Sequence, residues 1–336
     1  MTISFATFNL ENLQVAGKPT YPGSRILTPR EFDQRCEWTA NQLIEIDADV
    51  IAFQELWDRA ALEAVLAHPQ LASQGYQLTT SPQTGTINNA LAIRSPIAKT
   101  HTMWIEDFPA DVSLNSKDQN IRLTVKKFGR SVLRVRITPA KERSKQPKDI
   151  VVMVAHLKSK RPSDPDFTSN QSPNPPDRVV MGQAISQIRR AAEAAALRVL
   201  ISNALATGER VVVMGDLNDS QFAVTTDMLG AGARYRLDPT SKVGSSSKWG
   251  MYSIATLQEL RSLRDVYYTY AYEGFRESLD HILVSQHFYD HSSKREWAFT
   301  KARLFNDHLE DQLSASKKLI VADHGQLKAE FRYKPA

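Results

Sequence analysis

The feature that most limits how this chain can fold is a pattern repeated along it, a short apolar run that stops abruptly at an acid, an amide or a histidine. The clearest case is RVVVMGDLND, where Val211 to Met214 lead through Gly215 into Asp216, Leu217, Asn218 and Asp219. Such a run reads as a buried strand whose carboxyl end opens into a polar loop. On extended backbone, residues two apart share a face, so Asp216 and Asn218 are expected to point together while Leu217 turns inward. The same residues also fit a strand end closed by a hydrogen-bonded Asx turn.

The pattern recurs in order. ISFATFNLENL alternates Ile3, Phe5 and Thr7 against Ser4, Ala6 and Phe8 and ends at Asn9 and Glu11, and DVIAFQELWD ends at Glu55. DIVVMVAHLKSKRP breaks at His156 with Lys158, Lys160 and Arg161 behind it, SLDHILVS carries Asp280 and His281, and GQLKAEFRY is preceded by Asp323 and His324. Any one of these is an ordinary turn. Together they gather more acids than a fold tolerates without a cation or substrate to satisfy them.

The intervening segments read as helices and further strands. In TPREFDQRCEWTANQLIEI, Thr28 is a capping residue, Pro29 fits the first turn and Glu31 completes a capping box, with Phe32, Cys36, Ala40, Leu43 and Ile44 as the apolar stripe. Asp58 caps a short helix over 60–66, strands are expected near 76–80 and 89–93, and SVLRVRIT puts Arg134 and Arg136 on one solvated strand face. Residues 161–178 read as a surface loop rich in Pro, Ser, Asn and Asp, followed by a helix over about 179–206. That helix should turn Met181, Ile185, Ile188, Ala192, Ala195 and Val199 inward and end before Gly208.

Composition narrows the classes. With 336 residues, 42% of them hydrophobic, and no repeat or composition break, a single domain over 1–336 is expected. Lys and Arg outnumber Asp and Glu by 42 to 37, which suits an anionic partner. The one cysteine, Cys36, excludes an intrachain disulfide and a cysteine-based zinc site and reads as a core thiol. The start MTISFATFNL is not a signal peptide and no run approaches a membrane span, so a soluble, cytoplasmic protein is expected, with no membrane partner and no obligate protein partner.

Taken together, TFNLENL, FQELWD, AHLKSK, GDLND, LDHILVS and ADHGQL resemble, in order and over nearly the whole chain, the motifs of the endonuclease/exonuclease/phosphatase superfamily, in its deoxyribonuclease-like branch. The resemblance implies an α/β (α+β) four-layer sandwich, two packed mixed β-sheets flanked by helices, with the site where strand edges converge. It implies a Mg²⁺ (or Mn²⁺) ion on Glu55, placed with help from Asn9, Glu11 and Asp323. It further implies that Asp216 and Asn218 orient the attacking water and a phosphate oxygen, and that His324, its tautomer fixed by Asp280, accepts the water's proton or bonds the phosphoryl oxygen. His156 resembles the second histidine of that branch, which faces the scissile phosphate and can protonate the leaving oxygen. Elementary chemistry agrees. Hydrolysis of a phosphodiester calls for a hard cation on carboxylate oxygens and a carboxylate-held histidine that transfers protons near neutral pH. Glu11, where many abasic-site enzymes carry aspartate, His156, HLKSK and the run YYTYAYEGFRESLDH bring the chain closer to bacterial extracellular nucleases.

Arg130 falls where deoxyribonuclease-like members place an arginine against the substrate phosphate, although a surface charge at a strand start fits as well. Lys158, Lys160 and Arg161 read as a phosphate grip or as solvated loop charge, and with Lys126 and Lys127 they would line a backbone-tracking groove. Tyr267, Tyr268, Tyr270 and Tyr272 would offer a stacking face or ordinary strand packing. His281, one residue from Asp280, should point to the opposite face, and His68, His101, His287, His291 and His308 lie outside the motifs. The expected activity is a metal-dependent nuclease acting on DNA or RNA. The alternatives are an esterase of inositol phosphates, nucleotides or sphingomyelin-like lipids, the last disfavoured by the lack of an evident exposed apolar loop, or a binding scaffold without activity. Completeness of the motif set argues against the scaffold.

Overall fold

Period-two alternation is the local rule from which the architecture follows. In β1 (Thr2–Leu13), Ile3 and Phe5 enter the core between two sheets, whereas Ala6 and Phe8 face a separate core under helices. In β2 (Val50–Leu56), Val50 and Ala52 point one way and Ile51 and Phe53 the other. Strands buried on both faces must be apolar on both, which is why these runs look unbroken in the sequence.

The computed structural model describes residues 2–112, 114–116, 124–141, 147–165, 175–233, 235, 247–259, 267–272, 275–309 and 320–335. After β2 come β3 (Tyr76–Thr80), β4 (Asn88–Arg94), β5 (Ala98–Asp107), β6 (Lys127–Thr138), β7 (Ile150–His156), β8 (Arg210–Asp216) and β9 (Tyr252–Ser253). A small hairpin of β10 (Tyr270–Tyr272) and β11 (Phe275–Glu277) precedes β12 (Asp280–Val284), β13 (Trp297–Phe305) and β14 (Gln326–Tyr333). One six-stranded sheet runs β13-β14-β1-β2-β4-β3 and the other β5-β6-β7-β8-β12-β9. Both are mixed, with β1·β2 and β7·β8 parallel.

Helices α1 (Pro29–Ile46), α2 (Arg59–Leu66) and α3 (Pro69–Ala72) cover the first sheet, and α4 (Pro175–Ala206) and α5 (Val224–Gly230) cover the second. The short α6 (Ile254–Glu259) sends Ile254 and Leu257 into the core between the sheets. This is the four-layer sandwich expected from the motifs. The α1 capping box forms as read: the Thr28 hydroxyl accepts the Glu31 N–H at 3.3 Å, and the Glu31 carboxylate accepts the Thr28 N–H at 2.9 Å. Asp58 accepts from Ala60 N at the start of α2, and the half-buried Cys36 packs against the core under α1.

The structure corrects the expected face of the first half of α4, while Ala192 is buried as expected. The helix begins at Pro175, ahead of residue 179, and Met181, Ile185 and Ile188 are 47%, 40% and 46% exposed. Its first half instead buries Gly182, Ser186, Arg190 and Glu193, because it lies on the loop that follows β7 and not on the sheet. There Ser163 N donates to the Gly182 carbonyl at 3.1 Å and to Ser186 Oγ at 3.0 Å, and a Cβ on Gly182 would sit 2.3 Å from the Ser163 carbonyl oxygen. Apolar packing on the sheet begins only with Ala194, Ala196, Leu197 and Ile201, while Ala195 and Val199 are half-buried. Of the expected loop at 161–178, residues 166–174 lie outside the described residues. Arg134 and Arg136 do share a strand face, but both pair with Glu209 and are not free in solvent.

Gly215, between the apolar run and Asp216, is required by space as well as by backbone. Its φ is +144°, and a Cβ there would lie 1.8 Å from the Ala155 carbonyl oxygen on the neighbouring strand. We expect Gly215→Ala to cost more than about 3 kcal/mol, since neither strand can retreat from the core. A Tm within roughly 2 °C of the parent would show that the strands separate easily.

Candidate active site

Sheet register assembles half of the site. His156, the last residue of β7, pairs with Asp216 at the end of β8, and Asp216 pairs with Asp280 at the start of β12, so three chemistry-bearing residues stand side by side. Beyond Asp216 the chain leaves extended geometry: Asn218 has φ +53° and its N–H donates to Asp216 Oδ1 at 2.8 Å. The Asx turn is therefore what ties these two residues together, and not a shared strand face. Asn218 Nδ2 donates to the Leu157 carbonyl at 3.1 Å, and Arg130 Nη1 donates to the same oxygen at 3.1 Å. Leu217 is buried in the core under α4, as read.

Asp280 is fixed by its backbone N–H donating to the Thr269 hydroxyl at 3.1 Å, and its Oδ2 lies 2.7 Å from His324 Nδ1. Its Oδ1 is buried without a hydrogen-bond partner among the described residues. The first sheet supplies the facing half. Register shifts in β1 between Asn9 and Leu13, and in β2 between Phe53 and Leu56, turn the strand ends toward the second sheet. Glu11, Asn12 and Glu55 have φ of +45°, +56° and +59°, a region that costs side-chain-bearing residues energy and is concentrated at functional sites. Asn12 offsets this locally by donating its N–H to Glu55 Oε2 at 3.1 Å and accepting the Trp57 indole N–H at 2.9 Å.

The halves meet through Asn9 and His156. Asn9 Nδ2 donates to Asp216 Oδ2 at 3.1 Å and Glu55 Oε1 at 3.4 Å, while its Oδ1 accepts Glu11 N–H at 2.9 Å. His156 Nε2 stands 3.5 Å from Asp216 Oδ2 and 3.8 Å from Glu55 Oε1. Two groups of donor atoms lie within 4.8 Å of one another: Glu55, His156 and Asp216, and Asp216, Asp280 and His324.

Burial, with Asp323 nearby, pushes the Glu11 carboxyl up to about 8 despite Arg35, and burial pushes Asp216 up to about 7 despite His324. Glu55 is raised for the same first reason, with Asp323 adding to it. Burial and the positive charges of Arg130 and His324 hold His156 well below its ordinary value. Burial alone would lower His324 too, but the charge and hydrogen bond of Asp280, with Asp323 and Asp216, outweigh it and hold the imidazole well above. Glu11 and Glu55, raised by burial beside Asp323, lack compensating positive charge, and carboxylate oxygens are hard donors, so this group fits a divalent cation.

The signs give a stability prediction for metal-free protein. Raised folded-state values for Glu11 and Asp216 mean the folded state holds extra protons, so stability falls as pH rises from the ordinary carboxylate range to about 8. Loss of the His324 contribution acts in the same direction, whereas the lowered His156 opposes it only up to about 6.5, the ordinary value for histidine. In EDTA, Tm should fall between pH 6.5 and 8, and Mg²⁺ or Mn²⁺ should restore more of it at the upper end. A flat or rising profile would mean these carboxyls ionise freely.

Asn9, Glu11, Glu55, Arg130, His156, Asp216, Asn218, Asp280, Asp323 and His324 thus gather at one pole. Lys158 and Lys160 do not aim into it. The Lys158 ammonium donates to the Ser159 and Arg161 carbonyls on its own loop, and Lys160 pairs with Glu277 of β11 at 2.7 Å. Lys126 and Lys127 are exposed, and Lys127 lies 3.4 Å from Asp107. Of the tyrosines, Tyr268 is buried beneath the Arg276 guanidinium, Tyr267 has a buried hydroxyl, and Tyr270 packs its ring 5.0 Å from that of His324. Tyr272 ends β10. His281 bonds the Asp219 carbonyl at 2.9 Å, away from the site, whereas His308, read as uninvolved, bonds the His324 carbonyl at 3.0 Å.

Other supporting residues escaped the sequence reading. Glu193 of α4 accepts Gly129 N–H at 2.9 Å and Lys158 N–H at 2.7 Å, bracing the backbone beside Arg130 and His156. A lone acid in the alanine-rich run RRAAEAAAL was its signal. Arg35, 4% exposed, donates to the Leu10 carbonyl at 2.7 Å and faces Glu11 Oε2 at 3.5 Å, and Thr269 accepts the N–H groups of Leu279 and Asp280. Neither carried a local signal.

Two sheets whose strand ends converge on buried carboxylates and histidines define a hydrolase of phosphate esters with a metal-binding centre. The chain belongs to the Endonuclease/Exonuclease/phosphatase family, whose model matches residues 6–324. Solved structures share the fold. A humanized TDP2 of D. rerio is 14% identical with a TM-score of 0.57, covering 98% of this chain and 99% of that one. D. rerio TDP2 complexed with a single-strand DNA product is 14% identical with a TM-score of 0.56 and the same coverage. The human nocturnin catalytic domain with bound sulfate is 15% identical with a TM-score of 0.54, covering 99% and 95%. No curated protein matches the sequence significantly.

Proposed function

We propose that this protein is a Mg²⁺- or Mn²⁺-dependent phosphodiesterase that hydrolyses nucleic-acid phosphodiester bonds by attack of an activated water. The observation that carries the reading is the facing arrangement of Asn9 and Glu55 against His156, Asp216 and the Asp280–His324 pair, all on two adjoining strand ends. The DNA product on the fold relative from D. rerio supports a nucleic-acid substrate.

Glu55, Glu11 and Asp323 would hold the cation, with Asn9 spacing Glu55 from Asp216. The chemistry a bound cation supplies is neutralisation of charge developing on phosphoryl oxygens. Asp216, pushed up to about 7, suits a base that takes the water's proton near neutral pH. His324, kept protonated by Asp280, suits a donor to a phosphoryl oxygen better than a proton acceptor. His156, held neutral, suits hydrogen bonding to the phosphate better than protonating the leaving oxygen. Arg130, braced on the Leu157 carbonyl, would grip a phosphate oxygen, and Asn218, tied to that carbonyl, positions Asp216. In-line attack inverts configuration at phosphorus.

The deciding experiment compares plasmid DNA, single-stranded DNA, RNA, inositol phosphates and sphingomyelin with Mg²⁺, Mn²⁺ or EDTA. Cleavage of a nucleic acid that weakens steeply as salt rises is expected, since each phosphate contact releases counterions. A second reading, an esterase of an amphiphilic phosphate ester, is favoured by Phe222 and Val224, 81% and 75% exposed just beyond Asp219. They form an exposed apolar pair at the start of α5 that the sequence pattern did not reveal. Brisk hydrolysis of sphingomyelin or inositol phosphates with no nucleic-acid cleavage would establish that reading instead.

A further inference from the structure

The basic charge of this chain is not concentrated where its motifs would put it. Lys158 and Lys160, beside the reacting centre, are spent on a loop carbonyl pair and on Glu277. The other end of the second sheet differs. Strand β8 runs from Arg210 to Asp216, so at ~3.3 Å per residue its two ends stand roughly 20 Å apart. Around the Arg210 end lies a cavity of about 590 Å³ whose lining includes Lys148, Arg210, Lys248, Lys294 and Arg295, with Glu296 as its one acid among the described residues. This local excess of four positive charges compares with a net charge of +5 for the whole chain.

Arg210 is paired within the cavity, and the other cations keep their charge. Glu296 is gripped by Arg210 through two contacts, one of 2.8 Å, and Lys148 stands 4.0 Å from the same carboxylate. Arg295 donates to the Asp290 and Lys334 carbonyls at 3.2 Å each, which orients its guanidinium and leaves its charge. The Lys248 ammonium rests 4.8 Å from the centroid of the Trp249 ring, and neither Lys248 nor Lys294 has an acidic partner among the described residues. Thr207, Gln286 and Ser293 add hydrogen-bonding groups to the wall. Cations gathered around a concavity with one acid among the described residues repel one another and attract an anion, and the volume lies in the ~300–1,000 Å³ range of ligand pockets.

We propose that this cavity is a second binding site, separate from the reacting centre, for a phosphate-bearing ligand of nucleotide size. Its phosphates would meet Lys248, Lys294 and Arg295. The same chemistry comes from a free nucleotide or from the phosphates of a strand whose other part is being processed. The inference does not depend on the proposed nuclease activity, because it concerns binding at a place that takes no part in hydrolysis.

The test is isothermal titration of the full chain in EDTA with pyrophosphate, ATP and a 5′-phosphorylated single-stranded 12-mer. Binding that weakens as salt rises is expected, and the Lys248→Glu, Lys294→Glu double variant should weaken it at least tenfold without changing hydrolysis of a minimal phosphodiester. Lys294→Gln alone, a milder change, should weaken it severalfold, and Glu55→Gln should leave it intact. Tight ATP or pyrophosphate binding identifies a free-nucleotide site, and binding of the 12-mer alone identifies a strand site. Binding of no probe, binding unaffected by Lys294→Gln, or binding lost in Glu55→Gln would overturn the proposal.

Discussion

Replacing Glu55 by alanine is expected to lower turnover by roughly a thousandfold or more at saturating Mg²⁺, because a cation that stabilises developing phosphoryl charge by several kcal/mol loses its most central carboxylate. Glu55 is proposed for this role because β2 delivers it in a left-handed conformation at a strand end, with Asn9 and Asn12 donating to its two oxygens. The fold should survive. The carboxyl is raised by burial and by Asp323, so removing it from metal-free protein relieves a cost and should leave Tm unchanged or a few degrees higher. Glu55→Gln, which keeps the shape, should lose nearly as much activity. Wild-type turnover in either variant, with the same product, would remove Glu55 from the cation site.

The second large effect is expected at the Asp280–His324 pair. His324→Ala should lower kcat by roughly a thousandfold while KM changes by less than about threefold, since the interaction strengthens only as charge develops. Asp280→Asn separates charge from position, because an amide oxygen can still accept the His324 Nδ1 hydrogen bond that is 2.7 Å long here. Without the carboxylate charge the imidazole titrates lower, so the alkaline limb of kcat/KM should move to lower pH. An unmoved limb would mean that another group sets it. A KM increase that accounts for the whole loss would reassign His324 to substrate binding.

What the sequence determined by itself is what depends on short-range chemistry. The alternation of Ile3 and Phe5 with Ala6 and Phe8 fixed which faces are covered, and Thr28, Pro29 and Glu31 fixed where α1 starts. The acids and histidines at strand ends marked the pole where the site lies, because gathering them needs a compensating charge. Tertiary structure alone decided what those residues meet. The stripe Met181, Ile185 and Ile188 is a sound helical pattern, yet it faces solvent because a polar loop, and not the sheet, lies under that part of α4. Lys158 and Lys160 are basic residues just beyond the strand end that carries His156, yet loop carbonyls and Glu277 take their ammonium groups. Arg35, Thr269 and Glu193 support the centre from elements far away in sequence, and the basic cavity at the other pole joins Lys148, Arg210, Lys248 and Lys294 from four separate segments. Periodicity records the preference of each residue for burial or water. It does not record which partner comes to lie opposite, and that partner determines whether a charge is free to act.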